Sequence, residues 1–314
     1  MIAALTGGTG GAKLVQGLAA VVPPRELTVI VNTGDDLTWW GLHVSPDLDS
    51  ITYALAGMLS RERGWGIEDD TFHCLDAMRR MGEPAWFQLG DRDLATHLRR
   101  TELLSQNKTL SEVTAEIARG LGIEARILPM SNDRVETRVL TPDGELSFQE
   151  YFVRERHQVA VHGARFEGAE QARPAPGVLE AIARAEAVVI APSNPITSIG
   201  PILAVRGIRE ALKQTAAPVA AISPIIEGAA VSGPAGQLMR TQGLPVSIIG
   251  VARCYADFLD LLIADQRDSA LGPKVEGSAV RYTSTLMRSE ADKTSLARAV
   301  LEFIRERPLQ AAAS

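Results

Sequence analysis

Short apolar runs alternate with a helix-like pattern at the start of the chain. Residues 2–5 and 27–32 are such runs, and the second is rich in β-branched residues. Between them, residues 12–22 have the apolar spacing of a helix, which two consecutive prolines end. Continuous apolar runs of this length are typical of strands buried on both faces, as in parallel sheets. The chain therefore begins with a predicted strand–helix–strand unit whose strands are parallel.

The same rhythm returns in the second half of the chain. Three further apolar runs predict buried strands, and they are residues 187–191, 218–222 and 246–251. Residues 62–125 are mainly helical in pattern, because apolar positions recur every three or four residues. Residues 126–130 resemble another strand, and residues 137–148 resemble a β-hairpin around a Pro-Asp-Gly-Glu turn.

These elements predict one α/β domain over residues 1–314. Its core is a doubly wound, Rossmann-like parallel sheet, with a helical insertion at residues 62–125 and a small β-hairpin. A helix over residues 46–59 is predicted by Ser45 as its N-cap and Pro46 at its first position. We expect the last dozen residues to fray, as chain ends often do.

A glycine-rich run, residues 7–11, separates the first predicted strand from the first predicted helix. Glycine lets backbone N–H groups approach a ligand closely, and a helix N-terminus attracts phosphate. The segment therefore predicts a phosphate-binding site, and its candidate residues are Gly7, Gly8, Thr9, Gly10 and Lys13. Ala12 and Leu14 break the Walker pattern, and Lys13 breaks the G-x-G-x-x-G pattern. The alternative is a tight turn that binds no ligand.

Composition argues against several classes of partner. The chain of 314 residues is 46% hydrophobic, and its net charge of −6 lacks the basic excess of nonspecific nucleic-acid binders. Every long apolar stretch contains proline, glycine or a charge, and no basic segment precedes the first one. We therefore expect neither a membrane span nor a signal peptide. Cys74 and Cys254 have no metal-ligand spacing and suit a reducing cytoplasm.

Four carboxylates follow the second predicted strand within fifteen residues. They are Asp35, Asp36, Asp47 and Asp49. Ligands of open parallel sheets bind at the carboxyl ends of strands, and Mg²⁺ prefers oxygen ligands shared with substrate phosphates. All four are therefore candidate metal ligands, although residues two apart in one helix cannot point the same way. The alternatives are a simple turn for Asp35 and Asp36, and a helix-terminus charge for Asp47.

Two weaker signals lie in the predicted insertion and beside it. Arg92 precedes a helix that contains His97, and its planar guanidinium suits an anionic group. All four tryptophans lie in the first third of the chain. Most are expected in the core or at an interface, with one or two free to stack on a flat ring.

Nine separated motifs together resemble one known family, the 2-phospho-L-lactate transferases or CofD family. They are GGTG (7–10), VNT (31–33), SPDLD (45–49), WGIE (65–68), LGDRD (89–93), ILPMS (127–131), PSNPITSIGP (192–201), SPII (223–226) and VSGPAG (231–236). The resemblance extends from residue 1 to about residue 265.

The resemblance implies an enzyme of coenzyme F-420 biosynthesis that requires Mg²⁺ and forms a homodimer. The family transfers a phospho-acid from a guanosine-diphosphate-linked donor to the ribityl hydroxyl of the deazaflavin Fo, and GMP leaves. No motif selects between phospholactyl, phosphoenolpyruvyl and phosphoglyceryl groups.

The resemblance also implies roles for individual residues. Asp49 and Gln88 correspond to positions that contact the deazaflavin, and we add Arg92 to that site. Gln88 stands where the archaeal pattern has lysine, so a charge is missing there. Asp49 is the first candidate to orient or deprotonate the hydroxyl, with Asp36 as a second catalytic candidate. Besides the glycine-rich run, four further residues are expected to contact the guanosine phosphates. They are Ser193, Asn194, Ser232 and Gly233.

The alternative from another class is a nucleotide-sugar-binding regulator of the gluconeogenesis-factor type. Such proteins share the opening Gly-Gly-Thr-Gly turn. Residues 65–68 and 89–93 match the transferases instead. An NAD(P) enzyme would rest on fold analogy alone, and the broken fingerprint argues against it.

Overall fold

A computed structural model describes residues 1–306 of the chain. The helices are α1 (Gly8–Ala19), α2 (Pro46–Leu55), α3 (His73–Arg80), α4 (Asp93–Ser105), α5 (Leu110–Gly120), α6 (Val178–Arg184), α7 (Gly200–Ala204), α8 (Ile208–Gln214), α9 (Ala235–Thr241), α10 (Ile248–Cys254) and α11 (Glu290–Arg305). The strands are β1 (Ile2–Thr6), β2 (Leu27–Val31), β3 (Leu37–Trp39), β4 (Leu42–Val44), β5 (Arg126–Pro129), β6 (Glu136–Thr141), β7 (Gly144–Ser147), β8 (Gly163–Glu167), β9 (Ala187–Ile190), β10 (Val219–Ile222), β11 (Ile225–Ile226), β12 (Ala229–Ala230), β13 (Leu261–Asp265), β14 (Lys274–Val275) and β15 (Ser278–Thr283).

The central sheet of the described chain has eight strands in the order β14-β15-β13-β10-β9-β1-β2-β5. All neighbours pair in parallel except β14, which is antiparallel to β15 at one edge. In the centre, Leu5 of β1 lies opposite Ile30 of β2 and Ile190 of β9.

The sheet separates two hydrophobic cores because alternate residues of a strand face opposite sides. Ala3 and Leu5 of β1 pack into one core, and Ile2 and Ala4 pack into the other. Helices α6 to α10 cover the first core, whereas α1, α2, α5 and α11 cover the second. The predicted doubly wound parallel sheet is confirmed.

The strand order reverses between β1 and β9. From β1 the chain continues to β2 and β5 on one side, and β9, β10 and β13 follow on the other. The loops after β1 and β9 therefore diverge above the carboxyl edge of the sheet. Such a switch point is where open α/β sheets bind ligands.

One predicted strand is wrong. Residues 246–251 were expected to be extended, but α10 begins at Ile248, and the next strand of the sheet is β13. Ile248, Val251 and Ala252 are all buried, and their spacing of three and four residues places them on one face of a helix. The β-branched run therefore misled the prediction, because it belongs to a buried helix.

Other boundaries differ by a few residues. Helix α1 begins at Gly8, so the glycine-rich run forms its first turn, and α2 ends at Leu55. The predicted hairpin is confirmed as β6 and β7, and β8 extends it to three strands. Helices α3, α4 and α5 lie within residues 62–125, whose status as an insertion stays a prediction.

The expectation of fraying concerns the last dozen residues, 303–314. Residues 303–305 still belong to α11, and residues 307–314 lie outside the described residues. No helix within residues 1–306 has the length and apolar character that spanning a membrane requires.

Candidate functional site

The glycine-rich run is tightly enclosed at the switch point. A Cβ atom on Gly7 would lie 2.5 Å from Oδ2 of Asp47, and one on Gly10 would lie 2.5 Å from the carbonyl oxygen of Pro192. Gly8 has φ of +69°, a conformation that side chains resist. Glycine is therefore required here for packing and backbone conformation.

Gly10→Ala is expected to destabilise the protein by about 1–3 kcal/mol, since the added methyl group overpacks against the Pro192 backbone. Thermal unfolding followed by circular dichroism measures this change. Gly120→Ala is the matched control. Gly120 is the last residue of α5, and a Cβ atom added there would have no neighbouring atom within 4 Å. An unchanged melting temperature for Gly10→Ala would contradict the enclosure.

The loop after β9 is joined directly to the glycine-rich run. The Ser193 hydroxyl donates to the carbonyl oxygen of Gly7 at 2.7 Å and accepts from the Gly7 N–H at 3.3 Å. The side-chain oxygen of Asn194 accepts from the N–H of Ile196 at 3.0 Å. Its buried Nδ2 group has no hydrogen-bond partner in the described chain. Asn194 thus presents an unused donor beside the glycine-rich run.

Two of the predicted carboxylates form a buried acid pair, Asp35 and Asp47. One amide group, Nδ2 of Asn32, donates to both, at 3.1 Å to Asp35 and 3.0 Å to Asp47. Asp47 also accepts from the N–H of Gly8 at 2.7 Å. Oδ1 of Asp35 is buried with no hydrogen-bond partner among residues 1–306.

The acid pair carries a strong electrostatic cost. Burial raises the pKa of Asp35 well above its usual value, and the charge of Asp47 raises it further. Burial also raises the pKa of Asp47, to about 6, although the hydrogen bonds from Asn32 and Gly8 oppose this rise. The donors around the pair are therefore too few to compensate two negative charges.

The other two predicted carboxylates have their own partners. Asp36 accepts from the Ser45 hydroxyl at 2.7 Å, and its Oδ2 lies 3.1 Å from Nε2 of His43. Asp49 forms a forked ion pair with the guanidinium of Arg100. The four candidates are thus divided into the acid pair and two separately held carboxylates. Within the described residues, no three His, Cys, Asp or Glu side chains form a metal-binding group.

A cavity of about 780 Å³ extends from the glycine-rich run to an aromatic wall. The aromatic wall consists of Trp65, Trp86, Phe87, Phe148 and Phe152. The predicted site residues that line this cavity are Gly7, Gly8, Thr9, Gly10, Lys13, Asp35, Asp47, Asp49, Gln88, Ser193, Asn194, Ser232 and Gly233.

Two predicted site residues do not line the cavity, Asp36 and Arg92. The Arg92 guanidinium donates to the carbonyl oxygen of Glu68 at 3.0 Å, and the backbone N–H of Arg92 donates to the carboxylate of Asp70 at 2.8 Å. These bonds connect the segment before α4 to the loop that precedes α3.

Sequence reasoning missed the three phenylalanines of the aromatic wall. Phe148 and Phe152 are stacked with ring centroids 5.5 Å apart, and His157 stacks on the outer side of Phe152 at 5.7 Å. Phe152 belongs to a π-helical turn, Glu150–Arg154, a feature that often accompanies functional sites. The aromatic pair four residues apart was the available signal. The cavity thus combines backbone N–H groups that suit phosphates with aromatic side chains that suit a flat ring.

The family comparison covers this whole architecture. The model of the family described as 2-phospho-L-lactate transferase CofD matches residues 2–304. The chain belongs to the CofD family. It is therefore a transferase by family, and the resemblance read from the nine motifs is confirmed.

Curated relatives of this CofD-family chain have two kinds of name. A 2-phospho-L-lactate transferase of Methanosarcina mazei is 43% identical over 299 residues, covering 95% of this chain and 98% of the relative. A phosphoenolpyruvate transferase of Streptomyces griseus subsp. griseus is 44% identical over 313 residues, covering 97% of this chain and 98% of the relative. Overall identity therefore does not select between the two names.

A solved structure supports the fold of the CofD-family chain. The crystal structure of a UPF0052-family protein from Bacillus halodurans superposes with a TM-score of 0.63, covering 96% of this chain and 98% of that chain. At 16% sequence identity, this likeness concerns the fold alone.

Proposed function

We propose that the protein moves a phospho-acid group from a guanosine-diphosphate-linked donor to the ribityl hydroxyl of the deazaflavin Fo. This reaction releases GMP and belongs to coenzyme F-420 biosynthesis. The observation that carries the proposal is a single cavity lined by the glycine-rich run, the aromatic wall and buried carboxylates. Family membership supports the same reaction class.

The glycine-rich run suits the diphosphate and guanosine of the donor. Thr9 and Gly10 lie in the first turn of α1, where backbone N–H groups lack intrahelical partners. Lys13 lines the cavity one turn later and adds a positive charge. The unused Nδ2 donor of Asn194 and the segment Ser232–Gly233 line the same cavity and are the further proposed contacts to the donor.

The acid pair is the proposed Mg²⁺ site. Two buried carboxylates with few donors and the free Oδ1 atom of Asp35 suit a hard cation. Mg²⁺ commonly uses only one or two carboxylates together with substrate phosphates, so a larger group is not required. A bound Mg²⁺ would neutralise charge on the phosphates of the donor.

The reaction is a displacement at phosphorus. The Fo hydroxyl oxygen forms a bond to the phosphorus of the phospho-acid, the bond from this phosphorus to the bridging oxygen breaks, and GMP leaves. The proton of the hydroxyl passes to a carboxylate, for which Asp49 is the proposed acceptor. Such a reaction depends on positioning and charge stabilisation. Asp49, which lines the cavity beside Gln88, is the proposed group that orients this hydroxyl.

The test is a product assay with three donors. Purified protein is incubated with Fo, Mg²⁺ and the guanylylated forms of phospholactate, phosphoenolpyruvate or phosphoglycerate. Mass spectrometry is expected to detect an Fo phosphodiester and stoichiometric GMP with at least one donor, and the fastest donor identifies the group transferred. No phosphodiester with any of them would overturn the proposal. Light scattering of the same sample tests the predicted homodimer.

Phe152→Ala is expected to raise the KM for Fo by about 2–10-fold, since an aromatic pair contributes about 0.5–1.5 kcal/mol beyond burial. Phe152 lines the cavity and remains 37% exposed, although Phe148 and His157 stack on its two faces, so the edge of its ring is available to the deazaflavin. Steady-state kinetics with varied Fo measure the effect. Phe152→Tyr keeps the ring and serves as the control, and equal KM values for the wild type and the alanine variant would contradict this contact.

A further inference from the structure

A cluster of buried polar side chains lies between α2 and α4, beside the cavity. It consists of Asp49 and Tyr53 from α2 with Asp93, His97 and Arg100 from α4. All five are buried, and all except Arg100 line the cavity. The cluster therefore connects the cavity surface to the interface between two helices.

Arg100 holds both oxygens of Asp49. Its Nη1 group donates to Oδ2 at 3.2 Å, and its Nη2 group donates to Oδ1. A planar guanidinium restricts the position and the plane of a carboxylate in this forked arrangement, which a lysine ammonium cannot do.

Arg100 is itself held from the other side. Nη1 also lies 3.2 Å from Nδ1 of His97 and donates to the carbonyl oxygen of His43 at 3.4 Å. Because arginine only donates, Nδ1 of His97 is the acceptor in this contact. Nε2 of His97 lies 3.2 Å from Oδ1 of Asp93 without a hydrogen bond between them, and this Oδ1 atom accepts from the Tyr53 hydroxyl at 2.5 Å.

Stability alone does not explain such an arrangement. The side chains of Arg100 and Asp49 are only 4% and 7% exposed. Removing two ions from water costs about as much as their attraction returns, so a buried ion pair is weak evidence for stability. An apolar pair would fill the same space between α2 and α4. The charged pair adds a defined orientation for the carboxylate at the cavity surface.

We propose that Arg100 is a positioning residue, which fixes the Asp49 carboxylate for the acceptor hydroxyl through its fork. His97 acts behind it by fixing the guanidinium. The proposal rests on the proposed transfer to Fo. It assigns Arg100 to the acceptor hydroxyl and predicts no role for it in nucleotide binding, since its side chain contacts Asp49, His97 and His43 and does not line the cavity.

Arg100→Lys is the principal test, because it keeps the charge and removes the fork. We expect kcat for transfer to fall about 10–100-fold, a loss of about 1.4–2.7 kcal/mol in transition-state stabilisation. The Kd for GDP, measured by calorimetry, should stay within twofold of the wild-type value. Arg99→Lys is the matched control, since Arg99 directly precedes Arg100 in α4 and forms ion pairs with Glu102 and Glu116 at the surface.

Arg100→Ala supplies a second readout. Guanidinium ions at millimolar concentration should restore part of its transfer rate, whereas ammonium ions should not. If this variant does not fold, the lysine variant and its kinetics decide. Wild-type kcat in a folded Arg100→Lys protein would overturn the proposal, and so would equal losses in transfer and GDP binding. Failure of the wild-type product assay would instead refute the proposed function, so the two failures are distinguishable.

Discussion

Asp49→Asn is expected to lower kcat for transfer to Fo by about 10²–10⁴-fold, the range of positioned proton-handling groups. The asparagine keeps the size of the side chain and one acceptor oxygen for Arg100, so the fold should persist. The substitution replaces the other oxygen by the NH₂ group of the side-chain amide, which cannot accept the hydroxyl proton. Initial rates from mass spectrometry measure the loss, and circular dichroism checks the fold.

Asp76→Asn is the control for this variant. Asp76 lies on α3 in an exposed ion pair with Arg79, away from the cavity lining. Its loss should leave the rate unchanged. If Asp49→Asn also transferred at the wild-type rate, the role assigned to Asp49 would be refuted.

Removal of Mg²⁺ is the second change with a large expected effect. Excess chelator should abolish transfer, and added Mg²⁺ should restore it. Without the cation, the carboxylates of the acid pair repel the phosphates of the donor, whose charge then stays uncompensated. Asp47→Asn should weaken Mg²⁺ binding by more than the roughly 10–100-fold that loss of an outer-shell partner costs. Calorimetric titration with Mg²⁺ in the presence of GDP measures this directly.

Asn32 provides an internal comparison for the metal site. Its amide donates to both members of the acid pair, so Asn32→Ala should weaken Mg²⁺ binding less than Asp47→Asn does. Full transfer activity in excess chelator would refute the metal site, whatever the behaviour of these variants.

The sheet could be predicted from the sequence because its central strands are continuous apolar runs, as in β1 and β2. Buried helices composed of β-branched residues cannot be recognised in this way. Ile248, Val251 and Ala252 are buried at helical spacing, yet the run that contains them also fits a strand. Length and flanking residues did not separate the two possibilities there.

The place of the glycine-rich run in the site was predictable, and the structure puts it in the lining of the cavity, whereas phosphate binding there stays a prediction. Arg100 was not predictable. Its sequence neighbours give it the appearance of a surface helix residue like Arg99, and only tertiary packing places it against Asp49, 51 residues away. Phe152 was missed for a similar reason, because it lies in the turn Glu150–Arg154, whose π-helical geometry has no sequence pattern.

The contact between Gly7 and Ser193 joins residues 186 positions apart in the chain. Closing a loop of that length is slow compared with forming local helices, since its entropy must be lost before the contact is gained. The cavity therefore cannot exist in any half of the protein, and α1 without β9 would lack one side of it. Recovered catalysis after refolding would consequently report assembly of the whole sheet, whereas recovered helix content would not.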